Sequence, residues 1–114
     1  MTADELLQMI AAGETLAVEF KGEERTPLND RDLVKAVVCL ANRSGHEPGY
    51  LLIGVEDDGR ITGARPRHGD TTDRNKLAAL IANQTRPSVA VRVESVEDRK
   101  STRLNSSHVE SSYA

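Results

Sequence analysis

Tyr50-Leu51-Leu52-Ile53-Gly54-Val55-Glu56-Asp57-Asp58-Gly59-Arg60-Ile61-Thr62-Gly63 is the stretch that decides the fold. Its opening run is apolar throughout and bounded by turn residues, the pattern of a central strand buried on both faces. The Asp58-Gly59 pair that follows suits a tight hairpin turn. Ile61-Thr62-Gly63 then begins a return strand. Working upstream, Leu33, Val34, Val37, Val38 and Ala41 fall at helical spacing. Asp30 is placed to cap that helix, and Asn42-Arg43-Ser44-Gly45 to end it. Before it, Leu16, Val18 and Phe20 alternate with Ala17, Glu19 and Lys21, so a half-buried strand carries Glu19 and Lys21 on the face opposite Val18 and Phe20. Between the two lies a polar, Pro27-containing loop over 22–29. At the start, Thr2 and Glu5 have capping-box spacing, Leu6, Leu7, Met9 and Ile10 supply an apolar face, and Gly13 stops the helix.

Downstream, residues 64–72 read as a loop that is basic except for Asp70. A third helix starts at Thr72 or Asp73, carries Leu77, Leu80 and Ile81, and is ended by Pro87. Val89, Val91, Val93 and Val96 mark a final strand. The order predicts an α+β domain: a mixed β-sheet, built on the central strand and its hairpin, flanked by about three helices.

Composition narrows the function. The 114 residues are 38% hydrophobic and 29% charged, enough apolar material for one core, and with aromatics at 3% that core is aliphatic. A formal net charge of -3 excludes a bulk polycation that grips nucleic acid by total charge, while a local basic face remains open. Cys39 is the single cysteine, which excludes a disulfide framework and a cysteine-built zinc cluster and fits a reducing compartment; as a free thiol it is expected to be a small buried hydrophobe. The longest unbroken apolar runs, 36–41 among them, are far too short to cross a bilayer, and the acidic opening MTADELLQ has no signal-peptide pattern. A cytoplasmic protein that does not enter membranes is the expectation.

The end of the chain reads differently. Residues 98–108, DRKSTRLNSSH, resemble the translation of a common sequencing-library adapter over eleven consecutive positions. They show neither helical nor strand periodicity. Residues 1–97 are therefore expected to form a C-terminally truncated domain, and 98–114 to be a non-native tail that leaves a valine-rich sheet edge unpaired.

Several landmarks together resemble the Schlafen AlbA-2 family, a divergent AAA-4 or DNA-binding domain family. Gly13-Glu14 with Val18-Glu19-Phe20-Lys21 resembles its GE…EFK opening, Leu40-Ala41-Asn42 with Gly45 its helix end, and residues 50–63 its GxLLIGVDDDGxIxG signature. Ile81 through Arg86-Pro87 matches the end of its last helix. The chain departs from the pattern where Arg43–Gly49 lengthens the usual double-glycine turn.

The resemblance implies a nucleic-acid-binding module, for DNA or RNA, of a larger bacterial transcriptional regulator or ATPase/helicase-like protein. The basic candidates are Lys21, Arg25, Arg43, Arg60, Arg65, Arg67 and Arg74, of which Arg65, Arg67 and Arg74, with His68, cluster near the hairpin exit and the start of the third helix. Guanidinium groups meet phosphate there; with few aromatics, stacking contributes little. A second implication is a metal-dependent endoribonuclease: Glu14, Glu19 and Asp57 would hold Mg or Mn, and Lys21 would stabilise charge on the phosphate. Against it, Glu14 reads equally as a solvated residue, Glu19 and Lys21 as a surface ion pair worth ~0–1 kcal/mol, and Asp57 as part of the turn. ATP binding, suggested by older family naming, finds neither a GxxxxGK[ST] nor a GxGxxG motif. An oligomerisation role through a sheet edge completes the alternatives.

Overall fold

The computed structural model describes residues 2–44, 47–65, 73–94, 96–97, 103–104 and 106–109. In chain order these form α1 (Ala3–Ala12), β1 (Val18–Lys21), α2 (Asp30–Ser44), β2 (Gly49–Ile53), α3 (Arg74–Gln84), β3 (Arg92–Val93), β4 (Val96–Glu97), β5 (Arg103–Leu104) and β6 (Ser106–Val109). The four-stranded sheet runs β1-β2-β6-β3. β1 and β2 are parallel, joined by the α2 crossover, and β6 is antiparallel to both β2 and β3, so the sheet is mixed and the class is α+β.

β2 divides the apolar interior in two. Leu51 and Ile53 point to one side, where they pack with Leu33, Val37 and Leu40 of α2 and Leu77 and Ile81 of α3. Leu52 points to the other, where it meets Leu6 and Ile10 of α1, Val18 and Phe20 of β1, and Val96. Burial on both faces is what the continuous apolar run requires. Register places Glu19 beside Leu51 and Lys21 beside Ile53, so these polar residues of the edge strand lie, half-buried, on the α2 side.

Local chemistry sets the element ends. Thr2 accepts a hydrogen bond from Glu5 N at 3.2 Å, and Gly13, at φ 84°, closes α1. α2 is capped by Asn29 rather than Asp30: Asn29 Oδ1 accepts from Asp32 N at 2.7 Å. Asp73 caps α3 by accepting from Asn75 N and Lys76 N. α3 stops at Gln84, ahead of Pro87, because Thr85 leaves helical geometry. The buried Thr85 hydroxyl donates to Ile81 O at 2.9 Å and accepts from Val89 N at 2.8 Å.

Four expectations need correction. Leu16 is 72% exposed in the turn before β1, since a Thr15–Val18 bridge folds it out of the strand. Cys39 is exposed, because it falls between the buried positions Val37 and Leu40 on the outer side of α2. The valine-rich strand is broken into β3 and β4, which join different sheets. The edge expected to stay open is filled: Ser106–Val109 pairs with β2 and with β3. A ladder is made of backbone groups, so a serine-rich segment supplies the same donors and acceptors as an apolar one.

The hairpin after β2 is shorter than expected. Val55 and Ile61 form a single antiparallel bridge, and Thr62 N and Gly63 N both donate to Gly54 O. Gly54 sits at φ 95°, and a Cβ there would collide with the backbone of Gly63 and Ala64. Gly54→Ala therefore forces the return segment away; we expect a loss of at least about 2 kcal/mol in urea unfolding, from strain at positive φ combined with that collision.

Candidate functional site

Where the parallel strands end, the chain leaves a cavity of about 290 Å³. Its walls are Phe20, Lys21 and Gly22 from the end of β1, Arg25 and Thr26 from the loop toward α2, and Glu56 and Asp57 from the hairpin. The carboxyl ends of parallel strands are the usual place for ligands in α/β arrangements, because the loops diverge there.

The loop that carries Arg25 and Thr26 is held by a buried carboxylate. Glu23 is 2% exposed; its Oε2 accepts from Leu28 N at 2.7 Å and its Oε1 from Arg65 N at 3.0 Å. Arg65 returns the contact: its Nε donates to the Glu23 carbonyl at 2.9 Å and its Nη2 to the Glu24 carbonyl at 3.3 Å. One acid and one guanidinium thus tie the β1–α2 loop to the hairpin exit. Glu56 fixes the facing wall, its Oε2 accepting from the Thr62 hydroxyl at 2.6 Å. Gly22 leaves room for that placement, since a Cβ there would displace the Glu56 carboxylate.

The residues singled out from sequence fall into distinct groups. Lys21, Arg25 and Asp57 come together at the cavity. Arg43, in the last turn of α2, reaches Glu19 Oε2 at 3.2 Å, while Lys21 Nζ lies 3.5 Å from Glu19 Oε1. Glu19 is thereby shared by two cations. Glu14 accepts from Phe20 N at 2.9 Å, satisfying a donor on the outer edge of β1. The structure does not bring Glu14, Glu19 and Asp57 together as a metal centre: among the described residues, no group of three or more His, Cys, Asp and Glu side chains is arranged to hold a metal ion. The ligand set expected for Mg or Mn is not assembled, because Glu14 is turned to backbone and Glu19 to Lys21 and Arg43.

Arg60 is spent on two acids, its Nε on Asp58 Oδ2 at 2.8 Å within the hairpin and its Nη2 on Glu24 Oε2 at 3.3 Å in the 22–29 loop. Arg65 is taken by the clamp already described. Arg74 is exposed at the first residue of α3, away from the cavity walls. Arg67 lies outside the described residues.

With this geometry in view, the sequence can be placed. The family model described as Schlafen, AlbA_2 matches residues 14–109. The chain belongs to the Schlafen AlbA_2 family. The match runs from Glu14, which holds the β1 edge, to Val109 at the end of β6. A solution NMR structure shares the AlbA_2 chain's fold: the N-terminal domain of a protein from Nitrosomonas europaea described as related to the ATP-dependent DNA helicase RecG, with 21% identity and a TM-score of 0.60 over 99% of this chain and 75% of that one. No curated protein matches the AlbA_2 chain. No helix among the described residues is long and apolar enough to cross a membrane.

Sequence reasoning missed Glu23 and Glu56. A single acid in a polar loop carries no periodic signal, and Glu56 stands beside two aspartates that look more like turn or ligand residues. The one available hint was Gly22, a glycine placed directly after a strand where a close approach is needed.

Two tests follow from the clamp and the turn. Removing the Glu23 carboxylate strands the Leu28 and Arg65 amide donors, so Glu23→Ala is expected to cost about 3 kcal/mol by denaturant unfolding. In the hairpin, hydrogen bonds from the Arg60 backbone N–H and guanidinium hold the exposed Asp58 carboxyl below its ordinary value of 3.8. A lowered folded-state pKa gives a contribution that is complete above 3.8 and disappears as the pH falls through the lower folded value. NMR titration should show the Asp58 side chain and the Arg60 Nε–H moving together below 3.8, and Arg60→Ala should raise the Asp58 midpoint only part of the way back, because the backbone N–H of residue 60 still donates to the carboxylate.

Proposed function

We propose that this chain is a nucleic-acid-binding module, for DNA or RNA, that meets the sugar–phosphate backbone at the cavity where β1 and β2 end. The observation that carries the reading is Arg25: it is exposed on the cavity wall, beside Lys21, and has no ion pair or hydrogen bond with any described residue. Arg43, Arg60 and Arg65 are already committed to protein partners, so Arg25 offers the guanidinium fork that suits a phosphate. Thr26 adds a hydroxyl at the same wall. Fold relationship to a domain of a RecG-related protein supports the same direction and a role within a larger regulator or ATPase/helicase-like protein. A net charge of -3 makes such binding weak away from the site, and the salt dependence then comes from the phosphate contacts made at the site itself.

Fluorescence anisotropy of the full chain with single-stranded RNA, tRNA and duplex DNA at low and moderate salt tests this. Arg25→Ala is expected to weaken binding by roughly tenfold and to reduce the salt slope by about 0.7 to 0.9, the loss of one phosphate contact. Absence of binding at low salt overturns the proposal, as does an Arg25→Ala, Lys21→Ala double variant that binds like the parent.

A further inference from the structure

Resting on that reading, we infer that the cavity receives one unpaired nucleotide and selects bases that carry an exocyclic amino group. Three observations lead there. First, Asp57 lines the cavity, is exposed, and has no ion pair or hydrogen bond with any described residue. An unspent carboxylate and an unspent guanidinium on the walls of one cavity, not paired with each other, match a ligand that brings both an anion and hydrogen-bond donors. A nucleotide does so: its phosphate is for Arg25, and its base amino group is for Asp57.

Second, the volume of about 290 Å³ lies just under the range of about 300–1,000 Å³ for ligand pockets, so the cavity accommodates at most one such unit and not a duplex edge. In a duplex one N–H of each amino group is engaged in pairing and the other faces a groove, so the base edge is not free as a whole, and a paired base enters a cavity only after leaving its stack. A single strand presents the whole edge freely.

Third, the cavity offers no exposed aromatic ring. Phe20 is 3% exposed and belongs to the α1-side core. Base preference therefore rests on hydrogen bonding rather than stacking. A carboxylate accepts from adenine N6, cytosine N4 or the guanine N1–N2 edge. Thymine and uracil instead present carbonyl oxygens on both sides of N3–H, and these repel Asp57. The facing acid, Glu56, is half-buried and turned toward the Thr62 hydroxyl, whereas Asp57 is exposed and has no partner among the described residues, which makes Asp57 the reading group.

The test uses the full chain and labelled oligo(dA), oligo(dC) and oligo(dT) of equal length, with an oligo(dA)–oligo(dT) duplex, at low salt and neutral pH. Oligo(dA) and oligo(dC) are expected to bind about tenfold tighter than oligo(dT) and tighter than the duplex. Asp57→Asn, checked for folding by circular dichroism, should bring the three single strands within about twofold of one another, because an amide both donates and accepts. Asp57→Glu, which keeps the carboxylate, should retain the preference. Equal affinities in the parent, or a preference that survives in Asp57→Asn, overturns this inference; if Arg25→Ala still weakens every oligomer, the phosphate-binding reading stands without it. If no oligomer binds at low salt, both fall.

Discussion

β2 is the constraint from which the remaining structure follows. Its side chains are buried on both faces and its backbone is paired on both edges, by β1 in parallel and by β6 in antiparallel register. Each full burial of a Leu or Ile side chain stabilises by about 1.5–3 kcal/mol, so Leu51, Leu52 and Ile53 concentrate much of the apolar driving force in one short segment. Because successive residues alternate sides, this segment joins the α1 core to the α2–α3 core. The direction of the β1–β2 pair then decides where β1 releases the chain into the 22–29 loop, and hence where the cavity opens.

The cavity is held open by interactions that lie behind its walls. Gly54 turns the chain out of β2 at positive φ, and the return segment delivers Arg65 to the buried Glu23. That contact fixes the loop from which Arg25 projects. Positioning and recognition thus belong to different charged residues. Buried Glu23 and exposed Arg65 each bind the other's main chain, the carboxylate accepting from Arg65 N and the guanidinium donating to the Glu23 carbonyl, while Arg25 and Asp57 remain available to solvent. The same division explains why a count of arginines overstates the basic surface: Arg43 and Arg60 carry acids of their own.

Much of the fold was legible because it is written in periodicity. The alternation at Val18 to Lys21, the helical spacing at Leu33 to Ala41 and the apolar run at Tyr50 to Ile53 all appear where their patterns place them. Misreadings arose where a local hydrogen bond overrode the pattern. A bridge with Thr15 expels Leu16, Asn29 takes the cap from Asp30, and Thr85 ends α3 before Pro87 can. The candidate site was half legible. Lys21, Arg25 and Asp57 were picked out and do meet, but their partition from Arg60 and Arg65 depends on contacts between residues far apart in sequence, such as Arg65 with Glu23. No window of sequence contains both partners.

The strand order carries a consequence for how the chain acquires its shape. α1, β1, α2 and β2 are consecutive, so the residues that make their mutual contacts all lie in the first half of the polypeptide. β6, the last of the described strands, inserts between β2 and β3, both already synthesised. Until it arrives, one side of β2 offers bare amide and carbonyl groups to any extended neighbour. Pairing β6 with β2 closes a long chain loop, a contact whose entropic cost is met before its hydrogen bonds offset it.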